Sequence, residues 1–153
     1  MRNQKKLLIE QLDRKLLPFN EVKNIQIPER GWIHTIRSTY NMTLKQLGSR
    51  LKITSQGVKD IEERELSGSI SIKSLRDVGK ALEMQFVYGF VPIQDSVENF
   101  LELKARKLAE KIVLRTSHNM KLENQETSEE SIKSAIDELT KELYREMNKS
   151  LWD

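Results

Sequence analysis

The sequence predicts an all-α protein, and three observations predict it. Apolar residues recur at intervals of three and four along most of the chain, the spacing that lines one face of a helix. Gly and Pro, which punctuate turn-rich β proteins, number only six and three in 153 residues. Hydrophobic residues make up 37% and charged residues 32%, a balance that supports a core under a charged surface and argues against a disordered chain. The length suits one ordinary domain, or a small domain with helical extensions.

Arg2 to Leu16 reads as an amphipathic helix, because Leu8, Leu12 and Leu16 recur every fourth residue with Ile9 beside them, and Pro18 stops it. A helix this short is not stable alone, so it must dock on the rest of the chain or on a second copy. Val22 to Ile27 reads as a weak strand or linker before Pro28. In Trp32 to Thr39 the residues Trp32, Ile33 and Ile36 give an inward stripe and leave Arg37 free to face outward, and Tyr40-Asn41 makes the break.

Thr43 is a good N-cap for the next helix, with Gln46 three residues later in capping-box spacing, and Leu44, Leu47 and Leu51 form its buried side. Gly48 falls where this helix would cross its neighbour, and a missing side chain there lets two backbones approach. Lys52-Ile53 is the turn. Thr54 or Ser55 caps a further helix whose Val58 and Ile61 point inward, and Ser67-Gly68-Ser69 closes it. Ile72, Leu75, Val78, Ala81 and Leu82 line another helix, so that five short helices' worth of pattern fills a compact domain.

From Met84 to Val91 the period changes: Met84, Phe86, Tyr88 and Phe90 alternate with Gln85, Val87 and Gly89, which reads as a short strand ended by Pro92. A strand must pair its backbone, either with Val22 to Ile27 or with the same strand of a second subunit. Two longer helices follow. The first, Val97 to Met120, buries Leu101, Ala105, Leu108, Ile112 and Val113. The second starts at Thr127 or Ser128, with Thr127 and Glu130 in capping-box spacing, and runs to Leu151 through Ile132, Ala135, Ile136, Leu139, Leu143 and Met147. Its early acids and late bases, Glu129 and Arg145 among them, suit the helix dipole.

Charge is distributed unevenly under a net +3. Residues 1–30 hold seven Lys/Arg against four Asp/Glu, residues 31–91 nine against six, and residues 92–153 ten against thirteen. A basic front implies an anionic partner, most simply nucleic acid, and the acidic rear implies a different task. The absence of Cys rules out disulfides, thiol chemistry and cysteine-held metal. No segment reads as a signal peptide or a membrane span, and the expected location is the cytoplasm. His34 and His118 stand far apart and no phosphate-cradling Gly loop occurs, so no enzyme activity, catalytic residue, metal or cofactor is expected.

Between Arg37 and Lys59 lie five basic residues, Arg37, Lys45, Arg50, Lys52 and Lys59, and no acid. Two short helices about a tight turn with an acid-free outer face predict a DNA-reading helix-turn-helix, whose second helix enters the major groove. Ser55, Gln56 and Lys59 are the candidates for base contact: Gln suits adenine N6/N7, Lys suits guanine O6/N7 or phosphate, and Ser is permissive. Arg37, Thr43, Lys45, Arg50 and Lys52 are the candidates for phosphate contact, which fixes register and affinity.

The segment from Trp32 to Leu82 resembles the phage-repressor (Xre/Cro) class of helix-turn-helix domains. Met42-Thr43-Leu44-Lys45-Gln46-Leu47-Gly48 and Thr54-Ser55-Gln56-Gly57-Val58 to Ile61-Glu62 carry the likeness, and Ala81-Leu82 matches the end of that class's fourth helix. Leu44 stands where the class has Gln, Arg64 where it commonly has Gly, and Gly57 within the second helix would permit closer backbone approach to DNA. The whole chain resembles the bacterial mobile mystery protein A family in its leucine-rich first helix, Gly31-Trp32-Ile33, the VYGFVP stretch and Ser117 to Gln125. That resemblance implies a transcription regulator encoded beside a Fic-domain protein, and a possible antitoxin role. The Ser/Thr-x-x-x-Glu-Gly/Asn helix of known Fic inhibitors has its nearest counterpart at Asn119 to Glu123-Asn124, which lacks the Ser/Thr.

The expected plan is thus an N-terminal helical arm and linker over 1–30, a five-helix helix-turn-helix domain with a terminal strand over 31–92, and a C-terminal helical dimerisation or partner-binding region over 93–153. The expected function is a dimeric, sequence-specific repressor of its own two-gene module on double-stranded operator DNA. Inhibition of an adjacent Fic-domain protein through the C-terminal helices is the alternative.

Overall fold

A computed structural model describes residues 2–122, 128–147 and 149–153. Among them the protein is all-helical, with seven α-helices: α1 (Arg2–Leu16), α2 (Trp32–Thr39), α3 (Leu44–Leu51), α4 (Ser55–Ser67), α5 (Ile72–Ala81), α6 (Val97–Leu122) and α7 (Glu129–Glu146). Short 3-10 helices occupy Leu17–Asn24 and Lys149–Trp152. The chain divides into two compact units, one of Asn24–Gly89 and one that joins the chain up to Lys23 with Phe90–Asp153.

The Asn24–Gly89 unit holds α2 to α5 around a core of Ile33, Leu47, Val58, Val78 and Leu82, with Ile36, Met42, Leu44, Leu51, Ile61 and Leu75 packed against it. Apart from Met42 these are residues that the helical spacing selects, while Trp32 and Ile72, also selected, are exposed. The unit has four α-helices rather than the expected five. The residues after Leu82 do not form the expected strand.

Met84 to Val91 is irregular, because no neighbouring strand among the described residues offers its backbone a ladder. The segment turns back over α5 instead. Met84 N–H donates to Gly79 O at 2.8 Å. Phe86 and Tyr88 stack on each other with centroids 6.0 Å apart, and the Arg76 guanidinium lies 5.6 Å from the Tyr88 ring centre. Of the alternating set, Phe86 is half-buried beside Gly79 and Tyr88 lies under Arg76, both on α5, while Met84, Tyr88 and Phe90 are exposed. Val22 to Ile27 likewise forms no strand: it leaves the first 3-10 helix and continues as irregular chain.

In the other unit α1 packs with α6 and α7. The side of α1 that is buried carries Ile9, whereas Leu8 and Leu12, placed on the expected stripe, are 63% and 44% exposed. Polar anchors decide the rotation. Lys5, Ile9 and Asp13 are spaced by four and so share one face. Lys5 Nζ donates to Glu146 O at the end of α7 (2.7 Å), and the Asp13 carboxylate accepts the Val97 and Glu98 N–H groups at the start of α6 (2.7 and 3.3 Å). Ala105, Ala109, Leu143 and Leu151 form the core between α6 and α7, while Ile112 and Ala135, expected inside, are exposed. Ser128 caps α7 through the Ser131 N–H; Thr127 lies outside the described residues.

Candidate nucleic-acid interface

The site is built from two capped helices and a left-handed turn. Thr43 Oγ1 accepts the Gln46 N–H at 3.0 Å and Gln46 Oε1 accepts the Thr43 N–H at 2.9 Å, a complete capping box. The helix α3 that it opens ends at Lys52, which adopts a left-handed conformation (φ 60°) and donates its N–H back to Gly48 and Ser49 carbonyls. Thr54 then caps α4, accepting the Gly57 N–H at 3.0 Å. Every step of this geometry uses residues within a few positions of one another.

Gly48 permits the close approach. A Cβ on Gly48 would lie 2.7 Å from Ile53 O, and the Ile53 N–H donates to Gly48 O at 2.9 Å. Gly57 has a different role from the one expected. Its bare side faces Ile53 and Thr54, with a notional Cβ 3.3 Å from Ile53 Cδ1, so the vacancy is filled by the protein's own turn.

The candidate base-contact residues Ser55, Gln56 and Lys59 are all exposed on the first turns of α4. Thr43 and Lys45 are exposed at the start of α3, and Lys52 is exposed in the turn. Arg50 is turned toward α5: its Nη1 donates to Ala81 O (3.1 Å) and lies 3.5 Å from the Glu83 carboxylate. Half of its side chain remains open to solvent.

Arg37 does not face outward as expected. Its Nε pairs with Glu62 Oε1 at 2.5 Å, its Nη1 donates to Met42 O at 2.9 Å, and Arg37 and Glu62 side chains are 12% and 11% exposed. His34 Nδ1 lies 3.2 Å from Arg37 Nη2 and 3.4 Å from Glu62 Oε2. A guanidinium inside a low-dielectric pocket needs a counter-charge, and Glu62 supplies it. Arg37 therefore holds the chain leading into α3.

Of the four acids of α4, Glu62 and Glu65 turn to α2 and Glu63 is exposed. Glu62 points inward to Arg37, and the Glu65 carboxylate accepts the Trp32 and Ile33 N–H groups at the start of α2 (2.7 and 2.9 Å). Gly31 (φ +86°) is needed there, since a Cβ would lie 2.9 Å from that carboxylate. Glu65 was not singled out from sequence, and Glu62 only within the stretch that carries the family likeness, although a signal existed: Val58 and Ile61 alone make a thin apolar face, and Glu62 and Glu65 continue it at i+4 and i+7 from Val58. The first acid after the acid-free stretch, Asp60, accepts a hydrogen bond from Gln56 Nε2 at 3.0 Å.

The arrangement offers donors and positive charge at two helix N-termini, where the backbone dipole also favours anions. Among the described residues no group of His, Asp or Glu is placed to hold a metal ion, and no helix is long and apolar enough to cross a membrane. His118 and Asn119 are exposed on α6, and Glu123-Asn124 lies outside the described residues. Comparison of the chain with protein families, curated proteins and solved structures returned no match.

Proposed function

We propose that the Asn24–Gly89 unit binds double-stranded DNA and that the protein is a sequence-specific transcriptional regulator acting as a homodimer. One observation carries the reading: a capped helix, a left-handed turn and a second capped helix expose Ser55, Gln56 and Lys59, while Glu62 and Glu65 of the same helix are turned inward. In this reading Ser55, Gln56 and Lys59 meet base edges, and Thr43, Lys45 and Lys52 meet phosphates. Arg50 adds partial charge from its place beside α5, and Arg37 acts by positioning α3. The operator proposed is that of the protein's own two-gene module, as the mobile mystery protein A resemblance implies.

The test is a fluorescence-anisotropy titration of the full chain against its upstream DNA and against scrambled duplex at several salt concentrations. Gln56→Ala is expected to cost about 1–3 kcal/mol on the preferred sequence and little on scrambled DNA. Lys45→Ala is expected to weaken both alike and to lower the salt slope by about one. Equal affinity of the wild type for both duplexes sinks the proposal.

A second reading, inhibition of an adjacent Fic-domain protein through the C-terminal helices, is favoured by the exposed apolar residues Leu103, Ile112 and Leu114 of α6. Exposed apolar side chains suit a protein partner. Co-expression without co-purification of the two proteins would remove it.

A further inference from the structure

We infer that Asp60 is a positioning residue that sets the Gln56 amide for adenine, an inference that rests on the DNA-binding reading above. Gln56 and Asp60 stand one turn apart on α4, and Gln56 Nε2 donates to Asp60 Oδ1 at 3.0 Å. An ionised carboxylate only accepts hydrogen bonds, so it fixes which end of the amide turns toward it. The nitrogen faces Asp60. A flipped amide would set Gln56 Oε1 against a carboxylate oxygen.

The consequence is a defined reading edge. The two hydrogens on an amide nitrogen diverge, so one goes to Asp60 and the other remains beside Oε1. What is left to face a base is one acceptor and one donor, the pair that adenine's N6–H and N7 take up. Guanine presents two acceptors, O6 and N7, in the same place. An unrestrained Gln can turn its NH2 toward them; a Gln held by Asp60 confronts O6 with its own carbonyl oxygen. Asp60 thereby converts a permissive side chain into one that prefers adenine over guanine, without touching either base.

The position of Asp60 supports this role. It is the first acid after a stretch without any. Unlike Glu62 and Glu65, which meet α2, it accepts a hydrogen bond from the outward residue Gln56. A negative charge this near the proposed phosphate contacts weakens binding to every sequence. Its benefit is therefore selectivity and not affinity.

The test has two arms on the full-length protein. In the first, side-chain amide NMR resonances of Gln56 are compared, without DNA, among the wild type, Asp60→Ala, Asp60→Asn and Asp60→Glu. The contact predicts that Asp60→Ala shifts them and Asp60→Glu largely does not; unchanged resonances in Asp60→Ala overturn the inference whatever the DNA result. In the second, duplexes selected by the wild type from a random pool give the position whose preference Gln56→Ala abolishes, and adenine and guanine are competed there.

The wild type is expected to favour adenine by about ten-fold or more, within the range of one bidentate contact. Asp60→Ala and Asp60→Asn are expected to lose most of that ratio while total affinity holds or rises, and Asp60→Glu to keep it. Melting temperatures should not change, a pattern that a merely structural role would not produce. An Asp60→Ala ratio equal to the wild type overturns the inference with the DNA-binding reading intact. Selection of no sequence at all by the wild type overturns that reading and the adenine preference together, and the first arm then shows separately whether the amide is held.

Discussion

Gly48→Ala and Gly57→Ala are the same change in adjacent helices, and the structure gives them opposite signs. In a helix interior the exchange gains about 1 kcal/mol from propensity. At Gly48 the new Cβ would sit 2.7 Å from Ile53 O and 3.3 Å from Thr54 C, both backbone atoms of the turn. Ordinary contact begins at 3.4 Å, so the turn must retreat by about 0.7 Å (3.4 less 2.7). That movement strains the Ile53 N–H to Gly48 O bond, worth about 1 kcal/mol, and the Thr54 cap, worth about 1 kcal/mol. With overpacking at about 1–3 kcal/mol, the net expected loss is about 1–3 kcal/mol. A unit of this size has about 3–10 kcal/mol in total.

At Gly57 the nearest atom is a terminal methyl, Ile53 Cδ1 at 3.3 Å, which can rotate away. Gly57→Ala is therefore expected to gain about 0.5 kcal/mol. Urea unfolding followed by Trp32 fluorescence in a Trp152→Phe background reports this unit alone, since Trp32 and Trp152 belong to different units. Melting temperature should fall by about 4–8 °C for each kcal/mol lost. Gly48→Ala matching or exceeding the wild type in stability, or both variants moving the same way, would refute the reasoning.

Three more outcomes are expected. Arg37→Met should cost about 3–5 kcal/mol by leaving Glu62 buried without its partner, and Arg37→Met with Glu62→Leu should recover much of that; additive losses in the double-mutant cycle would mean no coupling. Lys52→Gly should raise stability by about 0.5–1 kcal/mol by relieving a left-handed non-glycine, yet weaken DNA binding at all sequences, which separates fold from contact in one variant. The Tyr144 phenol is pushed up from 10.0 to about 12, first by burial and then by the Glu98 and Glu102 carboxylates. Between those values the unfolded state has released the proton and the folded state keeps it, so stability falls as pH rises from 10 toward 12. Denaturation of the α1–α6–α7 unit against pH should show that fall, and Tyr144→Phe should make it shallower.

Much of the candidate site was legible because its geometry is local. Capping at Thr43 and Thr54, the turn at Lys52-Ile53 and the outward direction of Ser55, Gln56 and Lys59 follow from interactions that span at most four residues. Gly48 was legible for a related reason, since a glycine in an otherwise regular apolar pattern marks a crossing. Arg37 was misplaced because its direction depends on Glu62, 25 residues later, and nothing local distinguishes an exposed arginine from one whose counter-charge arrives from another helix. The strand over Met84 to Val91 failed on the same ground. Period-two alternation states which side chains share a side, and only a neighbouring strand decides whether that stretch joins a sheet.

The sequence by itself determined the all-helical class, the helix starts and most of the core of the Asn24–Gly89 unit, because periodicity and capping are properties of consecutive residues. Only the tertiary structure decided where the charged groups go. It sent Glu62 and Glu65 inward to hold α2, drew Arg37 off the surface, and set α1 so that Ile9 is buried and Asp13 meets the start of α6 while Leu8 and Leu12 stay exposed. The reason is energetic: a helix end or guanidinium left unpaired in a core costs more than an exposed leucine. Distant polar partners therefore overrule the local apolar stripe.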